Sequence, residues 1–251
     1  MPKPQEPFFL GWGKVPKALR VFLACLSAFL LVGFGAMAYM TSATQTETGS
    51  GAFMGRTEVI GVLQEKPYPI LHVIESPHFE VGDTILLSGN GKRGAVEQAA
   101  GLDGQIVEAN GFRLDRGGLR GMQLRNGKRG LKRAENQDRS MDVEIEPLGR
   151  WKLQGEVCDG KCLGGAMKPG TGLSHRACAN LCLLGDVAPV FVSAGAIEGS
   201  EFLLMTDPDG AAVTKALLDY TAIFVEIEGD VERHGNMLVF KIAPDTIEVM
   251  Q

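Results

Sequence analysis

Four of the chain's five cysteines fall within one short stretch, spaced Cys158-x3-Cys162-x12-His175-x2-Cys178-x3-Cys182. No other part of the sequence concentrates metal-ligating or nucleophilic side chains so densely. Residues Ser174 to Leu184 read as a short helix: Ser174 is placed to cap its start, Ala, Leu and Asn follow, and Gly185 is placed to end it. Positions i, i+3 and i+7 share a helix face, so His175, Cys178 and Cys182 are expected to point the same way. Soft thiolates with an imidazole are the donor set for zinc, copper or an iron centre, and Cys162 or Cys158, across the glycine-rich loop, would complete a four-coordinate site. Met167, within the loop GGAMKPG, adds a thioether suited to copper. The spacing is not a standard one: there is no Cys-x2-Cys-His for haem attachment, no paired Cys-x2-Cys knuckles and no His-containing loops of the Rieske type.

Two other chemistries use the same side chains. In an oxidising compartment four cysteines form two disulfides, with three pairings open to them. Each bridge would stabilise an irregular insertion by roughly 2–4 kcal/mol. A bond from Cys178 to Cys182 within one helix is geometrically poor, which leaves pairs such as Cys162 with Cys178 or Cys182, and His175 as a hydrogen-bonded residue at the helix start. The third chemistry is a redox-active thiol pair assisted by His175.

The compartment is read from the N-terminus. Val21 to Met40 is twenty residues without a charge, enough as a helix to cross the roughly 30 Å hydrocarbon core of a bilayer. Lys3, Lys14, Lys17 and Arg20 precede it and no basic residue follows until Arg56, so residues 1–20 are expected in the cytoplasm and everything after residue 41 outside. Trp12 and Tyr39 stand near its ends, at interfacial positions. A cleaved signal peptide is the alternative, with Ala36-Met37-Ala38 as a small-x-small site, but the apolar run exceeds the usual core of about 7–15 residues. Cys25 reads as membrane filler, and the polar, small-residue stretch 41–52 as a linker.

Beyond the linker, apolar residues alternate in short runs broken by Gly, Pro and Asp, the pattern of strands. Strands are expected at 58–63, 70–74, 84–88, 106–109, 153–157, 190–193, 202–205, 223–227 and 237–242. Gly55-Arg56 with Gly61 returns as Gly149-Arg150 with Gly155, 94 residues later, and Val107-Glu108-x-x-Gly111 returns as Val225-Glu226-x-x-Gly229, 118 residues later. The difference of 24 matches a gain of about two dozen residues in the second half, where the cysteines lie. Each Val-Glu-x-x-Gly is read as leading through a polar turn into a further strand. The expected fold is therefore mainly β: an N-terminal transmembrane helix, then two tandem small barrels, residues 53–133 and 149–251, joined by a linker at 134–148. The second barrel carries a helical Cys/His insertion at 158–185.

On these residues both halves resemble OB-like modules of bacterial envelope proteins. The second half also resembles a family of largely uncharacterised, membrane-anchored bacterial proteins with an Asp-x-Lys-Cys opening and a His-Arg-x-Cys-Ala-x-x-Cys helix, here Asp159, Lys161, Cys162 and His175 to Cys182. Together with the topology, the resemblance implies a single-pass bacterial inner-membrane protein with periplasmic barrels, an accessory or assembly subunit of a membrane-bound redox complex. Its partners would be the lipid bilayer and other subunits of that complex.

The remaining signals weigh less. The 251 residues include 33 glycines, 45% hydrophobic residues and 30 acidic against 25 basic side chains, which excludes a disordered tail, a disulfide-dense miniprotein and a strongly basic nucleic-acid binder. A basic run contains Arg116, Arg120, Arg125, Lys128 and Arg129, a candidate grip for an anionic polymer or lipid surface, but it lacks the stacking aromatics of single-strand binders. His72, His78 and His234 are scattered, and no Gly-x-Ser-x-Gly, His-Glu-x-x-His or P-loop motif occurs. The sequence leans away from an enzyme, with a thiol- or metal-dependent oxidoreductase and an anion-binding module as the alternatives.

Overall fold

The computed structural model of the protein describes residues 15–44, 49–139, 141 and 143–250. Lys3, Trp12 and Lys14, used above for orientation, lie outside the described residues, as do residues 45–48 of the expected linker. The chain divides into two compact units, Met1–Glu47 and Thr48–Gln251.

The first unit is a single helix, α1 (Arg20–Thr44), entered through a short 3-10 turn at Lys17–Leu19. The span Lys17–Ala43 has a mean hydropathy of 2.3 over its most apolar window, and its residues are exposed. A run this long and apolar is suited to crossing a bilayer.

The second unit holds two closed five-stranded barrels. The first is built from β1 (Ala52–Gln64), β2 (Ile70–Glu75), β3 (Thr84–Ser88), a one-turn helix α2 (Val96–Ala99), β4 (Ile106–Arg116) and β5 (Leu119–Leu124), followed by a short β6 (Leu131–Arg133). The second repeats the plan with β7 (Ile145–Asp159), β8 (Pro189–Ile197), β9 (Ser200–Thr206), α4 (Thr214–Leu217), β10 (Phe224–His234), β11 (Met237–Ile242) and a short β12 (Glu248–Val249). A helix of its own, α3 (Arg176–Leu184), stands between β7 and β8. Each barrel runs in the order 1-2-3-5-4 and closes by pairing its fourth strand with its first; all pairs are antiparallel except β3 with β5 and β9 with β11. This is the OB-like arrangement. Alternate residues point inward: Val59 and Leu63 with Val107 and Met122 fill the first barrel, and Leu153, Ile227, Val231 and Phe240 fill the second.

The internal repeat is visible strand by strand. Gly61 pairs with Val107 and Gly155 with Val225, while Thr57 pairs with Gly111 and Trp151 with Gly229, so both offsets mark equivalent barrel positions. Between first and second strands the first barrel spends residues 65–69 and the second residues 160–188, a difference of 24. The strands expected at 106–109 and 223–227 run further than read, so that Gly111 and Gly229 lie mid-strand in β4 and β10. The hairpins turn later, at Gly117-Gly118 and Gly235-Asn236. A Cβ at Gly229 would press into the Lys241 carbonyl oxygen and stand 2.7 Å from the Phe240 ring, so glycine is required by close strand approach.

The barrels are not beads on a string. Tyr68, Ile70, Leu86 and Leu119 of the first share one buried cluster with Cys158, Leu163, Val190, Phe202, Leu204 and Val239 of the second. Polar contacts seal its edge: Asn236 takes the Thr84 N–H at 2.8 Å and donates to Asp83, and the Tyr68 hydroxyl accepts the Val213 N–H at 3.0 Å.

Candidate metal centre

The outgrowth between β7 and β8 starts where Asp159 turns the chain. Its carboxylate accepts the Cys162 N–H at 2.8 Å and stabilises a π-helical turn over Cys162–Ala166. The loop then returns through Gly172, whose N–H binds Glu156, to a 3-10 turn at Leu173–His175 and into α3. The expected helix is present, but its α-helical part begins at Arg176 and Ser174 makes no capping bond. Gly185 ends it as expected, its N–H returning to the Cys182 and Leu181 carbonyls.

Three sulfurs converge. Cys162 Sγ lies 3.9 Å from Cys178 Sγ and 3.8 Å from Cys182 Sγ, and all three fall within 4.8 Å of one another. Cys178 and Cys182 come from one face of α3, Cys162 from the turn opposite, as the spacing required. The Met167 thioether stands 3.4 Å from Cys178 Sγ. All five cysteines are free thiols, Cys25 being exposed on α1. Cys158 is not part of the group: its thiol donates to Glu156 at 3.3 Å and it belongs to the core between the barrels. Strand alternation is the cause, since Cys158 precedes the turn that carries Cys162 round to α3.

His175 meets the thiols only through Cys162. Its Nε2 lies 3.1 Å from Asp159 Oδ2, both residues essentially without solvent contact, and Asp159, Cys162 and His175 form a second group of donors within 4.8 Å. The aspartate thus fixes the imidazole and the start of the Cys162 turn together.

Two lysines bring positive charge. Lys161 is buried and spends its ammonium on the Gly89 and Gly91 carbonyls, both at 2.6 Å, in the first barrel's loop after β3. That loop presents Lys92, whose Nζ lies 2.6 Å from Cys178 Sγ. The Cys178 sulfur holds the Lys92 ammonium above its ordinary range, whereas burial pulls Lys161 below it. Cys162 and Cys182 lie close enough to share a hydrogen bond. The hydrogen bond to Cys182, then burial, pushes Cys162 up; the same bond, helped by Lys92 and Lys161, pulls Cys182 down toward the thiolate. Burial holds the Cys158 thiol well above the usual range, so it stays protonated.

The five basic candidates do not form one patch. Arg116 is buried and donates to the Leu163 carbonyl at 3.2 Å, supporting the Cys162 turn, with its charge disfavoured chiefly by burial. Arg120 is paired with Asp83. Arg125, Lys128 and Arg129 line an open cleft of about 800 Å³ together with Glu58, Glu75 and Glu108, so the local field is mixed. His72 is an interior packing residue, bonded to Thr84 at 3.1 Å and Gln64 at 3.2 Å.

Sequence reasoning missed Lys92 and brought Arg116 forward only as an anion-binding candidate, because both come from the cysteine-free barrel and only the fold brings them near. Asp159 and Lys161 stood in the quoted motif without a role; their roles are now a turn anchor and an inter-barrel tie. Comparison with protein-family models, curated proteins and solved structures found no match to this chain.

Chemically, the arrangement suits one ion. Sulfurs about 2.3 Å from a centre stand about 3.8 Å apart at tetrahedral angles and about 4.0 Å apart in a triangle, the spacing Cys162 keeps to both partners.

Proposed function

We propose that this chain is a single-pass inner-membrane protein of a bacterium, an accessory or assembly subunit of a membrane-bound redox complex, whose periplasmic barrels hold one soft metal ion between Cys162, Cys178 and Cys182. The observation that carries the reading is the approach of Cys162 Sγ to the Cys178 and Cys182 sulfurs, from a separate element, to the spacing one ion requires, with all three within 4.8 Å. Supporting it, α1 is long and apolar enough to anchor the chain, with Lys17 and Arg20 at its start. The outgrowth also exposes Met167, Leu173, Leu181 and Leu184 around the half-exposed Cys178, an apolar rim suited to a protein partner.

The test is metal analysis and a thiol count on the full chain, purified in detergent under reducing conditions. One ion per chain, lost in Cys162→Ser, Cys178→Ser and Cys182→Ser and kept in Cys158→Ser, is the expected result. No stoichiometric ion, or an ion indifferent to these cysteines, would sink the reading. A C-terminal reporter active only outside the cytoplasm is expected from the orientation, and partner subunits are expected to co-purify with the anchored chain.

One observation favours a second reading, thiol–disulfide exchange. Cys178 is half-exposed beside an ammonium, with Cys162 at 3.9 Å. Cys178 thiolate would attack a partner's disulfide and Cys162 would then close onto Cys178, leaving two reduced thiols on the partner and one disulfide here. Stoichiometric reduction of a disulfide substrate by the reduced, metal-free protein, abolished in Cys178→Ser, would select it.

A further inference from the structure

The donors nearest the three thiols are unevenly available. His175 and Asp159, the nitrogen and oxygen donors next to Cys162, are engaged with each other at 3.1 Å, and Asp159 also holds the Cys162 N–H. Turning His175 Nε2 from Asp159 to an ion would strand a fully buried carboxylate without that partner, a costly exchange. On the other side of the triangle the Met167 thioether already touches Cys178 Sγ at 3.4 Å. Zinc sites draw their fourth donor from Cys, His, Asp or Glu, whereas thioether sulfur selects monovalent copper.

Charge points the same way. Three thiolates around a monovalent ion keep two net negative charges. Two ammonium groups stand by: Lys92 at 2.6 Å from Cys178, and Lys161, next to Cys162 in the chain and held on the Gly89 and Gly91 carbonyls. The Asp159–His175 pair groups with Cys162 alone, apart from Cys178 and Cys182, and spends His175 Nε2 on the carboxylate.

Resting on the metal-site reading above, we propose that the ion is copper(I), held by Cys162, Cys178 and Cys182 with Met167 as a fourth, all-sulfur donor, and that His175 is a positioning residue outside the coordination sphere. Met167 is exposed, so replacing it leaves the core intact.

The experiment uses the full chain in detergent, reduced and anaerobic, titrated separately with copper(I) against a bicinchoninate competitor and with zinc(II) against a pyridylazo-resorcinol competitor. Wild type is expected to take one copper(I), with sulfur-only scattering in the X-ray absorption spectrum. Met167→Leu should weaken copper(I) binding about tenfold and leave zinc(II) binding unchanged. His175→Gln should retain the sulfur-only spectrum even where affinity falls. A nitrogen scatterer that disappears in His175→Gln, or copper(I) affinity indifferent to Met167, overturns the copper assignment while the metal site survives. Failure of both ions to bind one per chain in a Cys162-dependent way overturns the metal site itself.

Discussion

Among single residues, the sharpest contrast is between Cys158 and Cys162, four positions apart with opposite roles. Cys158→Ser should leave metal content unchanged and cost about 1–2 kcal/mol of stability, because it places a hydroxyl in an apolar core beside Glu156; metal analysis and urea melts separate the two effects. Sequence spacing brought both forward as ligands, since alternation within a strand of unknown end does not say on which side of the turn each sulfur falls. The triad Cys162, Cys178 and Cys182 was legible because two of its members are set by helical periodicity alone. His72 carries a pH prediction. Burial, with His234 adding to it, pushes its pKa down to about 4 from 6.5, so the folded barrel holds it neutral where the unfolded chain would protonate it. Its contribution is complete above pH 6.5 and is lost as pH falls through that window to about 4, up to roughly 3 kcal/mol in all. Urea midpoints of metal-free protein should therefore fall between pH 7 and 4.5, and His72→Gln should flatten that slope; an unchanged slope in the variant would refute the assignment.

Secondary-structure elements owe their shape to glycines placed for contact. Gly155 sits where β7 curls from β10 toward β8, and a Cβ there would run into the Val192 carbonyl oxygen and stand 2.9 Å from the Phe191 ring. Gly155→Ala and Gly229→Ala should each destabilise the protein by roughly 1–3 kcal/mol or more, whereas Gly195→Ala in β8, with nothing within 4 Å, should be close to neutral. Chemical denaturation of the three variants checks this, and equal losses at all three sites would count against it. These glycines explain how far the strands could be read. Every expected strand exists because period-two alternation reports a half-buried surface, and 84–88 and 237–242 keep their bounds. The long strands β4 and β10 were cut short at Gly111 and Gly229, since glycine in sequence signals a break just as readily as a close approach.

At the level of the whole chain, the repeat and the place of its gain were legible as two offsets, but the joining of the barrels was not. The residues of the shared core, Ile70 and Leu86 with Val190 and Leu204 among them, look like ordinary strand residues until both barrels are closed. That core predicts one cooperative unfolding transition for residues 49–251, with calorimetric and van't Hoff enthalpies in agreement; two resolved transitions would contradict it. The outgrowth of the second barrel leans on the first at several points: Lys161 on Gly89 and Gly91, the Leu163 carbonyl on Arg116, the Gly185 carbonyl on the Gly94 N–H, and Cys178 on Lys92. A genetic screen for chains that have lost the sulfur centre would thus return many hits from the half that contains no cysteine. The barrel without cysteines is the mould in which the other's sulfurs are cast.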